Sequence, residues 1–272
     1  MTKNLFDVAD QVIVITGGLG KLGRQFAGAL IENGAKVAIL DYRVGKTEPD
    51  AALQSAIDNG HCLLVRADVT EKHSIEQALI QVTGRWGIPH GLINSAAIDS
   101  PPDAPADDNG PFDTYSVQSW DKVMDVNVKG VFLACQVIGT CMAKEKRGSI
   151  INISSIYGVV SPDQRIYEYR LKSGDNFFKP VAYSVSKSAL LNLTRYLATY
   201  WAKSGIRVNT LTFGGVFNHQ DKEFIHRYCQ RVPLGRMAHE SEYNGAIIFL
   251  LSAASSYMTG ANLVIDGGWT TW

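Results

Sequence analysis

Unbalanced charge is missing from this chain: 26 lysines and arginines face 26 aspartates and glutamates, a formal net charge of +0. A nucleic-acid surface needs a basic excess, so that partner class is not expected. Cysteine is scarce. Cys62, Cys135, Cys141 and Cys229 are the four, and no pair has Cys-x-x-Cys spacing. A disulfide framework is not expected, and the thiols read as reduced and mostly buried in a cytoplasmic protein. The six histidines are scattered, and no His/Cys/carboxylate group has the spacing of metal ligands. No apolar run reaches the ~20 residues of a membrane span. Met1 to Asp10 carries acidic residues and no apolar stretch, which argues against a signal peptide. What is present is 272 residues, 46% hydrophobic and 19% charged. That composition supports one substantial core and argues against disorder.

Strand and helix patterns alternate from end to end. Val12 to Thr16 is a β-branched run of the fully buried kind. Gly17 to Gly23 follows, then a helix to about Asn33 with Phe26, Ala27, Leu30 and Ile31 on one face, closed by Gly34. Ala35 to Leu40 is a second strand and ends at Asp41. Gly18-x-Gly20-x-x-Gly23 in this setting has dinucleotide-binding spacing. Its glycines let backbone approach a pyrophosphate, and the helix N-terminus favours the negative charge. Asp41 suits the two ribose hydroxyls and repels a 2′-phosphate, which favours NAD over NADP. Arg43 and Lys21 are the opposing cations, and the blander reading of both is solvated loop charge.

Further strands are expected at His61 to Arg66, Gly91 to Asn94, Gly148 to Ser155, Ile206 to Leu211 and Ala261 to Gly268. Asp68, after the third, meets an adenine edge or caps the next helix. Helices are expected near 51–59, up to Trp86, over Val117 to Lys144, from Val181 to about Lys203, near 219–231 and over Ser241 to Ser252. Seven strands alternating with helices imply one α/β domain, a Rossmann-like doubly wound parallel sheet over residues 1–272. Two stretches break the alternation. Residues 98–116 hold four prolines and five aspartates, and residues 158–179 are also irregular. Both follow the carboxyl end of a strand, where open α/β sheets bind ligands; solvated decoration or an oligomer contact explains them about as well.

Tyr183 and Lys187 carry the chemistry. Their spacing of four places phenol and ammonium on one helical face. A cation beside a tyrosine lowers a pKa that starts near ~10, giving a proton donor and acceptor for a carbonyl or alcohol. The pattern alone is weak, since Tyr42 and Lys46 match it across Gly45 in a loop.

The ordered set Thr16-Gly17 to Gly23, Asp68, Asn94-Ser95-Ala96-Ala97, Asn127, Ser154-Ser155, Tyr183-x-x-x-Lys187 and Asp266-Gly267-Gly268 resembles the classical short-chain dehydrogenases/reductases along the whole chain. The resemblance implies that Tyr183 exchanges the proton, Lys187 holds the nicotinamide ribose and lowers the tyrosine pKa, Ser155 rather than Ser154 binds the reacting oxygen, and Asn127 orders a water in a proton relay. It implies hydride transfer between NAD and a carbonyl or alcohol carbon. The candidate cofactor contacts are Gly17, Gly20, Lys21, Leu22, Gly23, Asp41, Tyr42, Asp68, Val69, Asn94, Ala96, Tyr183, Lys187, Gly214, Val216 and Asn218; no metal is expected. A homodimer or homotetramer is also implied, with Trp269 to Trp272 suited to such a contact.

The chain departs from the family pattern in places. Lys21 stands where the family has glycine, Phe213 replaces a proline, and Asn218 stands where a threonine often holds the carboxamide. Ser155 and Tyr183 lie 28 positions apart, about twice the usual family spacing. The surplus, with its aromatics and charges, suits a polar substrate such as a sugar, polyol or sugar acid. His219, Gln220, Lys222, His226, Arg227 and Arg231 in the substrate loop at about 214–236, with Arg165 and Arg170, are candidates for clamping an anion. Two other readings compete: a silent redox sensor, against which the intact Ser/Tyr/Lys set argues, and a sugar-nucleotide epimerase or dehydratase, for which the C-terminal part is short.

Overall fold

The computed structural model describes residues 4–99, 110–172, 174 and 177–272. The expected irregular stretch 98–116 therefore falls outside the described residues over positions 100–109. Among the described residues, seven strands form one sheet: β1 Val12–Thr16, β2 Lys36–Asp41, β3 Cys62–Arg66, β4 Gly91–Asn94, β5 Gly148–Ser155, β6 Ile206–Phe213 and β7 Asn262–Ile265. All pairs are parallel, in the order β3-β2-β1-β4-β5-β6-β7. Parallel strands covered on both faces cannot alternate apolar with polar, which is why Val12–Thr16 is buried at every position. One apolar cluster packs on each face. Phe26, Leu30, Ile13 and Ile247 belong to one, and Val14, Ile75, Ile138 and Met142 to the other.

The helices fall where the periodicity places them. Lys21–Glu32 ends at Asn33 and turns through Gly34 at φ +80°. Asp50 caps Ala51–Asp58 by accepting from Leu53 N–H at 2.9 Å. The stretch expected to be helical near 219–231 narrows to Lys222–Cys229, capped by Asp221. The expected helix from Ser241 begins as a tight turn, Glu240–Tyr243, and continues as Asn244–Leu251. Of the cysteines, Cys62 and Cys135 are buried, and burial pushes both thiols up to about 12.

Val117–Lys144 is one continuous helix, long and apolar enough by length and composition to cross a membrane. The sequence reading found no such run because Lys122, Asp125 and Lys129 interrupt it. Here Val131, Ala134, Cys135, Ile138 and Met142 pack it against the sheet. Two single-turn π segments, Asp125–Lys129 and Cys135–Gly139, widen it.

The order of strands reverses between β1 and β4, where Thr16 pairs with Asn94. In open α/β sheets the ligand crevice lies outside the carboxyl ends at that point. Thr16, Asp41, Arg66, Asn94 and Ser155 all end strands on this side, and Gly17 and Ala67 follow two of them directly. The described part of the 158–179 stretch, which leaves out 173, 175 and 176, is built as well as irregular. A turn, Gln164–Tyr167, and a short helix, Glu168–Lys172, bury Ile166 and Tyr167 against the substrate loop. A chain of rings joins them: Tyr167 to Phe224 at 5.6 Å, Phe224 to Tyr228 at 5.7 Å, and Tyr228 stacked on Trp269 at 4.4 Å.

Candidate active site

Helix Val181–Tyr200 carries Tyr183 and Lys187 against the end of β5. Pro180 immediately precedes it, where a missing N–H costs nothing. Lys187 is buried. Its Nζ donates to Ile153 O at 2.9 Å and lies 5.7 Å from the centroid of the Tyr183 ring. The Ser155 hydroxyl lies close enough to the Tyr183 phenol to favour its ionised form, and its Oγ accepts from Tyr157 N–H at 3.2 Å. Ser154 turns the other way and donates to the Lys187 carbonyl at 2.9 Å. A pleated strand sends neighbours to opposite faces, so only one of the two serines can meet the phenol.

One expectation is corrected here. Lys187 does not dominate the Tyr183 pKa. Burial pushes the phenol up, the charge of Asp99 adds to this, and only Ser155 opposes them. Burial also draws Lys187 down to about 8, with the Asp99 charge partly offsetting it. The sequence could show a cation four residues away but not how far both groups are desolvated.

Asn127 sits in the first π segment and is fully buried. Its Nδ2 donates to Ile98 O at 2.8 Å and to Ser186 Oγ at 3.0 Å, and its Oδ1 accepts from Ile98 N–H at 2.8 Å. The amide thus clasps the backbone of Ile98 from both sides.

A cleft of about 620 Å³ opens over the switch point. Gly17, Gly20, Asp41, Tyr42, Asp68, Val69 and Ala96 line it, and so do Ser95 and Thr70, which the sequence reading did not single out. Its floor needs glycine. Gly17 has φ +66°, and a Cβ there would stand 2.6 Å from Ala96 Cα. A Cβ on Gly23 would stand 2.5 Å from Gly17 O. Leu22 instead packs on the apolar core. Asn94 is buried beneath the cleft. Its Nδ2 donates to Asn152 Oδ1 at 2.8 Å, while its Oδ1 has no partner among the described residues. Tyr42 is exposed with Arg43 and Lys46 each 5.9 Å from its ring centroid, so the Tyr42/Lys46 pattern is a surface turn.

Two cation expectations are corrected. Arg43 is not solvated loop charge. Its Nε and Nη2 donate to Asp41 at 3.0 and 2.9 Å, beside the Leu19 N–H at 3.0 Å. Burial works to raise the Asp41 carboxyl, but Arg43 overcomes it and holds the group below the usual carboxylate range. Lys21 is not free in the glycine loop. It donates to Phe217 O at 2.7 Å and Asn218 Oδ1 at 2.9 Å, and pairs with Glu240 at 3.3 Å. The residue that replaces glycine thus ties the cofactor loop to the stretch after β6. In that stretch Gly214 N–H donates to Ile265 O at 3.1 Å, and Val216 O accepts from Gln220 Nε2 at 2.8 Å.

The candidate anion clamp is largely compensated within itself. Arg165 and Arg231 both pair with Asp163. Arg227 pairs with Glu223 at 2.7 Å, His226 meets Gln230, and Arg170 lies 4.0 Å above the Phe177 ring. The sequence reading missed another cation. Lys179 Nζ sits 4.7 Å from the Tyr183 ring centroid and 2.5 Å from Asp99 Oδ2. Its signal was present: Lys179 precedes Tyr183 by the same four positions that separate Tyr183 from Lys187.

Residues 20–270 match the family model described as Enoyl-(Acyl carrier protein) reductase. The NAD-dependent glycerol dehydrogenase of Listeria innocua is 30% identical over 273 residues, 97% of this chain and 96% of that protein. A short-chain dehydrogenase from Leptospira borgpetersenii, solved with bound NAD+, superposes with TM-score 0.85 at 32% identity, covering 99% of this chain and 97% of its own. This chain belongs to the short-chain dehydrogenase/reductase family. The D-threitol dehydrogenase of Mycolicibacterium smegmatis, 31% identical over 274 residues, covers 97% of this chain and 95% of its own length. As a short-chain dehydrogenase/reductase, the chain is an oxidoreductase that acts on CH–OH groups with a nicotinamide cofactor. The cleft fits such a cofactor: a glycine cradle that any Cβ would fill, a helix N-terminus at Gly20, and a buried carboxylate at Asp41.

Proposed function

We propose that this short-chain dehydrogenase oxidises a polyol or reduces the matching keto-sugar, with NAD preferred to NADP. The observation that carries the reading is Tyr183 with Ser155 acting on its phenol and the Lys187 ammonium 5.7 Å from the same ring, beside the glycine-lined cleft. The similarity to glycerol and D-threitol dehydrogenases supports the substrate class. Asp41 supports the NAD preference; the ribose hydroxyls would share that carboxylate with Arg43.

The nicotinamide, when bound, supplies or accepts the hydride. The chain does the rest. Ser155 holds the substrate oxygen by hydrogen bond and so orients the carbinol carbon. Tyr183 takes the hydroxyl proton in oxidation and returns it in reduction. Lys187 supplies positive charge below the phenol, which favours the phenolate at the moment it forms. Asn127 holds Ile98 and Ser186, and through Ser186 it steadies the helix that carries both groups.

Polyols, sugars, sugar acids and simple alcohols, each with NAD and NADP in parallel, are the panel that tests this by NADH or NADPH formation. Polyol turnover with NAD, lost in Tyr183→Phe, is expected. Tight NADH binding without turnover of any alcohol would favour a sensor and overturn the reading. We also infer a homo-oligomer. Tyr196 and Tyr200 stack at 6.1 Å on an exposed helix face, and Trp272 is exposed as well. A monomeric mass by light scattering would exclude it.

A further inference from the structure

A second pocket, of about 630 Å³, is joined to the reacting tyrosine by Lys179. Asp99, Lys179 and Asp221 line it with the rings of Tyr167, Phe177 and Phe224. Lys179 and Asp99 lie 80 positions apart and come from the two irregular stretches of the chain. Each is fixed by a side-chain amide that grips backbone in both directions. Gln164 Oε1 accepts from Lys179 N–H at 2.9 Å, and Gln164 Nε2 donates to Lys179 O at 3.4 Å. Asn127 does the same to Ile98, the residue before Asp99. The Lys179 side chain is only 14% exposed. Asp99 is near enough to Tyr183 and Lys187 for its charge to raise both. A pair held this firmly beside the reacting group, its ammonium largely buried and its carboxylate half exposed, is more than surface decoration.

We infer that Asp99 and Lys179 read a hydroxyl adjacent to the one that Tyr183 deprotonates, and so select neutral vicinal polyols over sugar acids and over simple alcohols. The inference rests on the dehydrogenase reading above, with the reacting alcohol at Tyr183. An ammonium has three donors and no acceptor, and a carboxylate only acceptors. A hydroxyl is both, so it can donate to Asp99 and accept from Lys179 without parting them. An anionic substrate would have to draw Lys179 away and set its own negative charge beside Asp99, a like-charge contact that opposes binding. The lining as a whole favours neither sign, since Arg170 and Lys179 balance Asp99 and Asp221. The aromatic rings offer apolar faces to the C–H groups of a carbon chain. A site built to hydrogen-bond a hydroxyl also discriminates against analogues that lack it, because its own polar groups are then left unpaired.

The test compares wild type with Lys179→Met and Asp99→Asn on D-threitol, galactitol, gluconate and cyclohexanol. Each substitution is expected to lower kcat/KM for the two polyols by about 10- to 100-fold, the loss of a charge-assisted hydrogen bond. The polyol-to-cyclohexanol ratio of kcat/KM should fall in both variants while the thermal midpoint and NADH affinity hardly change. Removing the Asp99 charge also acts on Tyr183 and Lys187, but equally for every substrate, and Asp99→Asn should raise gluconate relative to threitol. If polyol and cyclohexanol activities fall together, the pair merely pins the two stretches and the proposal is wrong. A wild type that prefers gluconate also overturns it, while leaving the dehydrogenase reading intact. If the wild type oxidises no alcohol with either cofactor, the dehydrogenase reading fails, and this inference fails with it.

Discussion

Replacing Lys187 by methionine should stabilise the cofactor-free protein while destroying its activity. The ammonium is buried, and desolvation pulls it from 10.5 to about 8. At pH 7 that shift means a stability burden of roughly 3 kcal/mol, because the unfolded chain holds the proton more tightly than the folded one. Methionine removes the charge at similar length. It also strips Ile153 O of its donor at 2.9 Å, a loss of about 1–2 kcal/mol. The net gain is then about 1–2 kcal/mol, a few degrees in Tm for a domain of this size. The sign depends on pH. The burden is complete below the folded value near 8, shrinks as pH rises towards the unfolded value near ~10.5, and is gone above it. The variant should therefore be the more stable protein at pH 7 and the less stable one above about pH 10. Differential scanning calorimetry at pH 6, 7, 8 and 9.5 reads this directly. A variant less stable at pH 7, or a gain that ignores pH, would show that Lys187 is not a strained buried cation.

Other outcomes follow from the cleft. Gly23→Ala places a methyl 2.5 Å from Gly17 O and 2.6 Å from Gly18 Cα; it should lower Tm and weaken NADH binding together, and unchanged binding by fluorescence titration would mean the cradle is not the phosphate loop. Asp41→Ala frees Arg43 from its partner at 2.9 Å; the NADP-to-NAD ratio of kcat/KM should rise at least about tenfold, as expected when a carboxylate gives way to an available guanidinium, and an unmoved ratio would remove Asp41 from cofactor choice. Lys21→Gly cuts the ties to Phe217 O and Asn218 Oδ1; amide exchange at Asn218 should quicken, and unchanged exchange would show that the tie does not hold this loop.

The sheet was legible in the sequence because its signals are local. Val12 to Thr16, Gly18 to Gly23 and Asp41 each announce themselves within a few residues, and Gly148 to Ser155 needed no adjustment at either end. The Tyr183/Lys187 spacing was equally local. What stayed hidden depends on distant neighbours. The Asn127–Ile98 clasp spans 29 positions and the Lys179–Asp99 pair 80, and no periodicity records either. Arg43 was misread for a different reason. It stands two residues from Asp41, but only the turn after β2 decides whether the guanidinium folds back or points to water. The titration of Tyr183 was misjudged because the nearby cation can be seen in the sequence, whereas burial belongs to the whole fold.

The central claim is direct hydride transfer from a carbinol carbon, with Tyr183 taking the proton. The most direct measurement uses the best polyol of the panel, deuterated at its carbinol carbons, with unlabelled NAD. Mass spectrometry of the reduced cofactor should find one deuterium retained per turnover, with none formed by Tyr183→Phe. Unlabelled NADH, or deuterium released to water without cofactor reduction, would contradict the account.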